Sequence, residues 1–289
     1  MSNRHRSTKR NKQSKPSRQS KPSRQRKQRK VGGATRRNRK SEAMPTKPSR
    51  PLCQCNTNGK PCTQYVKGKS VFCSAHQDCP LSPRSGAEPM YNPELYNGDP
   101  TIYRSHNCYS YGMNVIDPTL VQQCQRNYRK NGSTNKCRQN FHQPGALHGD
   151  RFSLNAESRR TCPVVEKLVR TDVPNIQTTS FHKQCPKGMS KIALVVDKGE
   201  DYHFYRQDKD GMWSHKDGSN KVKRYDALKQ PIANPELASR DYRWQGSDLN
   251  YEDFCGFYCV PRDPSIRLGQ GGARKESLVG GSWTDHPSK

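Results

Sequence analysis

The sequence has little apolar content, no long apolar run and, over its first 52 positions, almost no acid. Only 29% of its 289 residues are apolar, so any sizeable core must be concentrated in part of the chain. No stretch approaches the roughly 18 consecutive apolar residues that span a bilayer, and no membrane insertion is expected. The N-terminus also lacks the apolar run that follows the charges of a secretory leader. That pattern predicts an intracellular protein, with the nucleus as a further candidate location.

Positive charge is abundant instead. Between Met1 and Leu52 stand 19 Lys and Arg against a single acid, Glu42, which places +18 of the formal +27 in this segment. A hexapeptide, Ser14-Lys-Pro-Ser-Arg-Gln19, repeats directly as Ser20-Lys-Pro-Ser-Arg-Gln25 and is echoed at Thr46-Lys-Pro-Ser-Arg50. Proline every six residues with no apolar face excludes a stable helix, so residues 1–52 are expected to be a disordered basic arm. Its partner is expected to be a polyanion, nucleic acid first, held by Arg10, Lys15, Arg18, Lys21, Arg24, Arg26, Lys27, Arg29, Lys30, Arg36, Arg37, Arg39 and Lys40. Such binding would lack sequence preference, because flexible cations neutralise phosphates without reading base edges.

Twelve cysteines in a reducing compartment point to metal ligands, free thiols or a nucleophile rather than disulfides. Five of them fall between Cys53 and Cys79, too densely for an ordinary core. Cys73-x-x-His76 has the spacing of a zinc knuckle, and Cys62 with Cys53 or Cys55 would complete a tetrahedron. The expected structural zinc site is Cys53, Cys62, Cys73 and His76, in a module at 53–79; free or disulfide-bonded cysteines are the alternative. Residues 80–90 read as a Pro-rich linker that wraps onto the next domain. Residues 264–289 read as a flexible Gly-rich tail.

The main domain is expected over 91–263. Cys108–Ile116 and Leu120–Lys130 are helical candidates, and Lys191–Val196 is a buried strand. Tyr202–Gln207 and Met212–Lys216 flank Asp210-Gly211 as a hairpin, and Phe254–Val260 is a further strand. Helices followed by an antiparallel meander predict an α+β fold. A loop of Lys209, Asp210 and Gly211 would put His203 and His215 diagonally on one sheet face. Cys255 and Cys259, four apart on a strand, would share a face. Cys108, at a helix start behind the candidate cap Asn107, is a candidate nucleophile with His203 as base and His215 as its orienting partner. For His106, two residues before Cys108, a capping or packing role is expected. Gln143, Tyr111 and Trp213 could line a cleft, although buried aromatics are more often core.

Two resemblances extend this reading. Cys53-Gln-Cys-Asn-Thr-Asn-Gly-Lys-Pro-Cys62 with Phe72-Cys-Ser-Ala-His76 resembles small zinc modules of large DNA viruses. Helix-borne Cys108, then a strand, then His203 and His215 across a hairpin, resembles the NlpC-type papain-like cysteine hydrolases. Tyr96-Asn-Gly-Asp-Pro100, His106-Asn-Cys-Tyr-Ser-Tyr111 and Asn250-Tyr-Glu-Asp-Phe-Cys255 are similar to papain-like proteins of large DNA viruses. The resemblance implies a papain-like peptidase or amidase acting on a peptide or amide, with Cys108, His203 and His215 catalytic. A virion structural or genome-packaging protein, with virion proteins among its partners, is the alternative.

Overall fold

Helix starts in this chain are set by short polar side chains followed by proline. The computed structural model describes residues 46, 50–57, 59–149 and 160–271, all within one unit spanning 43–289. The basic residues from Arg10 to Lys40, and the tail from 272 onward, lie outside the described residues. In the Cys-rich segment β1 (Asn56–Thr57) and β2 (Lys60–Pro61) form a minimal hairpin. Asn92 and Asp99 then cap α1 (Pro93–Asn97) and α2 (Pro100–Tyr103), each accepting a backbone N–H of the first turn. Proline at the first helical position costs nothing there, because that N–H has no partner in a helix.

α3 (Cys108–Gly112) is capped by Asn107, which accepts from the Ser110 N–H. It is shorter than expected. Gly112 meets the β-carbon of Phe204, where a Cβ would come within 3.1 Å, and the chain then turns through Asn114 at φ +60. α4 (Pro118–Asn131) is capped by Asp117. α5 (Cys162–Asp172) was not expected; Val165 and Val169, four apart, are its buried stripe.

The strands β3 (Gln177–Thr179), β4 (Met189–Asp197), β5 (Asp201–Gln207), β6 (Trp213–Lys216), β7 (Val222–Lys223) and β8 (Asp253–Pro261) form one antiparallel sheet in the order β3-β8-β4-β5-β6-β7. The fold is therefore α+β. Every residue of β4 is buried, because both faces of the sheet are covered, and this is why the strand reads as an uninterrupted apolar run. On one face Ile192, Leu194, Val196, Tyr202 and Phe204 pack with Cys108 and Tyr109 of α3 and Val165 and Val169 of α5. On the other Ala193, Val195, Tyr205 and Trp213 pack with Ile232, Tyr242 and Tyr251 from the long connection before β8. Lys191, buried in β4, donates through Nζ to Ser82 Oγ (2.6 Å) and the Phe181 carbonyl (3.1 Å). Segment 80–90 thus wraps on the domain, with the Ser82 carbonyl also accepting from Gln207 Nε2.

A β-bulge shifts the β4–β8 register between Leu194, opposite Gly256, and Val195, opposite Phe254. It corrects the expectation for Cys255 and Cys259. The extra residue turns Cys255 to the face of Tyr258 and Val260, so the two thiols project to opposite faces. Gly256, at φ +137, takes the backbone conformation that the bulge needs. Residues 264–271, assigned to the tail, are packed: Leu268 is buried and Gln270 pairs with His142. Among the described residues no helix is long and apolar enough to cross a membrane.

Candidate metal centre and the buried cysteine and histidines

Cys53, Cys62, Cys73 and His76 converge, with one donor atom from each within 4.8 Å of the others. Cys62 Sγ lies 3.8 Å from Cys73 Sγ, and His76 Nδ1 lies 3.2 Å from Cys73 Sγ and 3.9 Å from Cys53 Sγ. Zn–S bonds of about 2.3 Å in a tetrahedron put sulfurs about 3.8 Å apart, so these spacings suit a four-coordinate soft cation. The backbone N–H groups of Cys73 and Gln64 point at Cys53 Sγ (3.2 Å) and Cys62 Sγ (3.4 Å), which favours thiolate. Burial pushes the Cys53 thiol up to about 11. At Cys73 burial acts in the same sense but is outweighed by hydrogen bonds from Cys53, Ala75 and His76, which hold the thiol at about 7. Cys55 is excluded as the fourth ligand because it is bonded to Cys79.

Cys108 is 5% exposed. Its thiol faces the Tyr202 carbonyl at 3.8 Å, and burial, then the charge of Asp201, push its pKa above the usual thiol range. The favourable field of a helix N-terminus is therefore outweighed by desolvation. His203 and His215 do share a face. The hairpin has the expected register, Tyr205 opposite His215, and His203 Nε2 lies 2.8 Å from His215 Nδ1.

That face is the wrong one for the triad. Along β5, Tyr202 and Phe204 point to Cys108, whereas His203 stacks with Tyr205 and Tyr251 on the opposite side. Strand alternation thus places the Cys108 thiol and the His203 ring on opposite faces of the sheet.

Asp217 completes the histidine cluster and was missed by the sequence reading. Its Oδ1 lies 3.1 Å from His215 Nδ1 and 3.7 Å from His203 Nε2, and its Oδ2 pairs with Lys223 Nζ. The register alone could have found it, since a β5–β6 pairing continued from Tyr205–His215 brings Asp217 opposite His203. His215 Nε2 faces the Tyr225 carbonyl at 2.8 Å, and its Nδ1 faces both the Asp217 carboxylate and His203 Nε2. Burial, then the neighbouring His215, push His203 down to about 3. Burial raises the Asp217 carboxyl, but Lys223 and the imidazoles outweigh it and hold it well below the usual range. The three donors could hold a metal ion, yet all three residues are buried.

His106 plays the packing role expected of it: Nε2 accepts from the Asp117 N–H at 2.8 Å, and Nδ1 donates to the Ile102 carbonyl at 3.0 Å. Tyr111 and Trp213 are fully buried core, and Gln143 accepts from the Tyr202 hydroxyl at 2.6 Å.

No family model matches the sequence, and no solved structure matches the chain. Over 170 residues it is 32% identical to insoluble matrix shell protein 1 of Ruditapes philippinarum, an alignment that covers 59% of this chain and 88% of that protein. The chain belongs to the insoluble matrix shell protein 1 family. Membership overturns the expected peptidase or amidase activity, the thiol-protease mechanism and the virion packaging alternative, in agreement with the separation of Cys108 from His203. It also overturns the intracellular or nuclear location. Eight of the twelve cysteines form the pairs Cys55–Cys79, Cys124–Cys137, Cys162–Cys255 and Cys185–Cys259, and such bonds persist in oxidising compartments. The sequence reading failed here because spacing does not reveal pairing between cysteines as distant as 93 residues.

Proposed function

We propose that this protein is a secreted structural component of an extracellular matrix. The observation that carries this reading is the relationship to insoluble matrix shell protein 1 over most of that protein's length; the four disulfides support the compartment. The α3–sheet unit serves as scaffold, and its helix-borne cysteine packed against an antiparallel sheet supports a papain-like descent for the fold alone. Zinc at Cys53, Cys62, Cys73 and His76 holds the small module, a role supported by the donor set and its spacing. The basic arm engages a polyanion, and the extracellular reading places that polyanion in the matrix. Fractionation tests the role: the protein is expected in the insoluble residue of the matrix with its four disulfides mapped intact by non-reducing mass spectrometry. Recovery in the cell lysate with reduced thiols would overturn it.

A further inference from the structure

Between Asp117 and Asp150 the sequence contains no acid. The stretch folds as α4 and the connection behind it, and Arg126, Arg129, Lys130, Lys136 and Arg138 are all exposed there. Positions three and four apart share a helix face, so Arg126, Arg129 and Lys130 form one patch. It points away from the side on which Leu120 and Cys124 are buried. The Cys124–Cys137 bond, with Cα atoms 4.7 Å apart, ties the loop that carries Lys136 and Arg138 to the Cys124 side of the same helix. Among the described residues none of the five is paired with a carboxylate.

Such a cluster has a cost, since like charges one turn apart repel. The helix dipole accounts for Arg129 and Lys130 in the last turn. It does not account for Arg126, Lys136 or Arg138. We propose that this helix and the loop clipped to it form a docking surface for a sulfated polysaccharide. Arg offers a fork of donors that suits a sulfate bidentately, and Lys adds a point charge. A linear polymer with anionic groups repeated along its length can meet cations presented along a helix and its adjoining loop. Gln122, exposed one turn before Arg126 on the same face, offers an amide to the hydroxyls that a glycan carries between its sulfates. The clip fixes where the loop bearing Lys136 and Arg138 leaves the helix, so less loop ordering opposes association. The choice of a glycan over a nucleic acid rests on the extracellular reading.

The test uses the full chain with heparin as probe and amine acylation, read by mass spectrometry, as footprint. Heparin is expected to slow acylation of Lys130 and Lys136 severalfold while leaving the exposed Lys183 and Lys187 unchanged. Protection should fade as salt screens the charges. The variant R126Q/R129Q/K130Q/K136Q/R138Q should elute from immobilised heparin at lower salt with an unchanged circular dichroism spectrum. No protection at Lys130 and Lys136, or equal protection at all four lysines, would overturn the surface. Equal protection by duplex DNA or polyaspartate at matched charge would overturn the glycan assignment, while the matrix fractionation would still stand by itself.

Discussion

His106 and His203 are held neutral at the cost of acid sensitivity. Burial leads the causes that bring His106 down to about 4 and His203 to about 3 from an ordinary 6.5. Below pH 6.5 the unfolded chain takes up protons at these rings that the folded chain does not. Their stabilisation is therefore complete above about pH 6.5 and lost as pH falls through 4 and then 3. His106 alone accounts for a loss on the order of 3 kcal/mol, and the urea midpoint should fall steadily from pH 7 to pH 4. A midpoint flat over that range would mean that the rings charge freely in the folded state. Cys108, shielded and raised, should resist iodoacetamide in the native protein and react only in denaturant. Rapid native labelling would contradict the buried thiol. The convergence of Cys53, Cys62, Cys73 and His76 was legible in part because Cys73-x-x-His76 is local. The relation of Cys108 to His203 was not, since a helix dictates only which face of a strand it covers, and that depends on packing.

At the scale of elements, the hairpin was legible because Asp210-Gly211 fixes its loop, Gly211 taking φ +90. The central strand was legible because both its faces are buried. α5 was hidden by a short apolar stripe, and the β8 bulge was marked only by Gly256 inside the strand. Both are tied by Cys162–Cys255, which closes 93 residues, against 13 for Cys124–Cys137. Chain entropy then gives about 4–5 kcal/mol for the first bond and about 3 kcal/mol for the second. The double variant C162S/C255S should accordingly lose more in denaturant unfolding than C124S/C137S. The reverse order would mean that the α5 contact persists without its bond, or that the α4 clip carries strain relief beyond chain entropy.

On the scale of the whole molecule, a buried amide ties the Cys-rich module to the domain. Gln54, between Cys53 and Cys55, donates to the Pro231 carbonyl at 2.9 Å and accepts from the N–H groups of Ala233 and Asn234 at 2.7 and 3.1 Å. The segment it holds carries Ile232, whose carbonyl accepts from the Trp213 N–H of β6. The Cys/His cluster is therefore linked through Gln54 to the histidine-bearing strands of the sheet, and a metal held there is expected to stabilise both. One zinc per chain is expected by metal analysis, and His76→Ala should lose it, because three ligands leave an open position on the ion. Removing the metal with a chelator, disulfides intact, should lower the main thermal transition. Gln54→Ala should lower it as well, by about 1–3 kcal/mol, since it leaves the Ala233 and Asn234 N–H groups buried without partners. In the Gln54→Ala protein chelation should then shift the transition much less than in the parent, the non-additivity expected of steps on one path. Equal shifts in both proteins would show that metal and sheet communicate by another route, and no shift in the parent would show that they do not communicate.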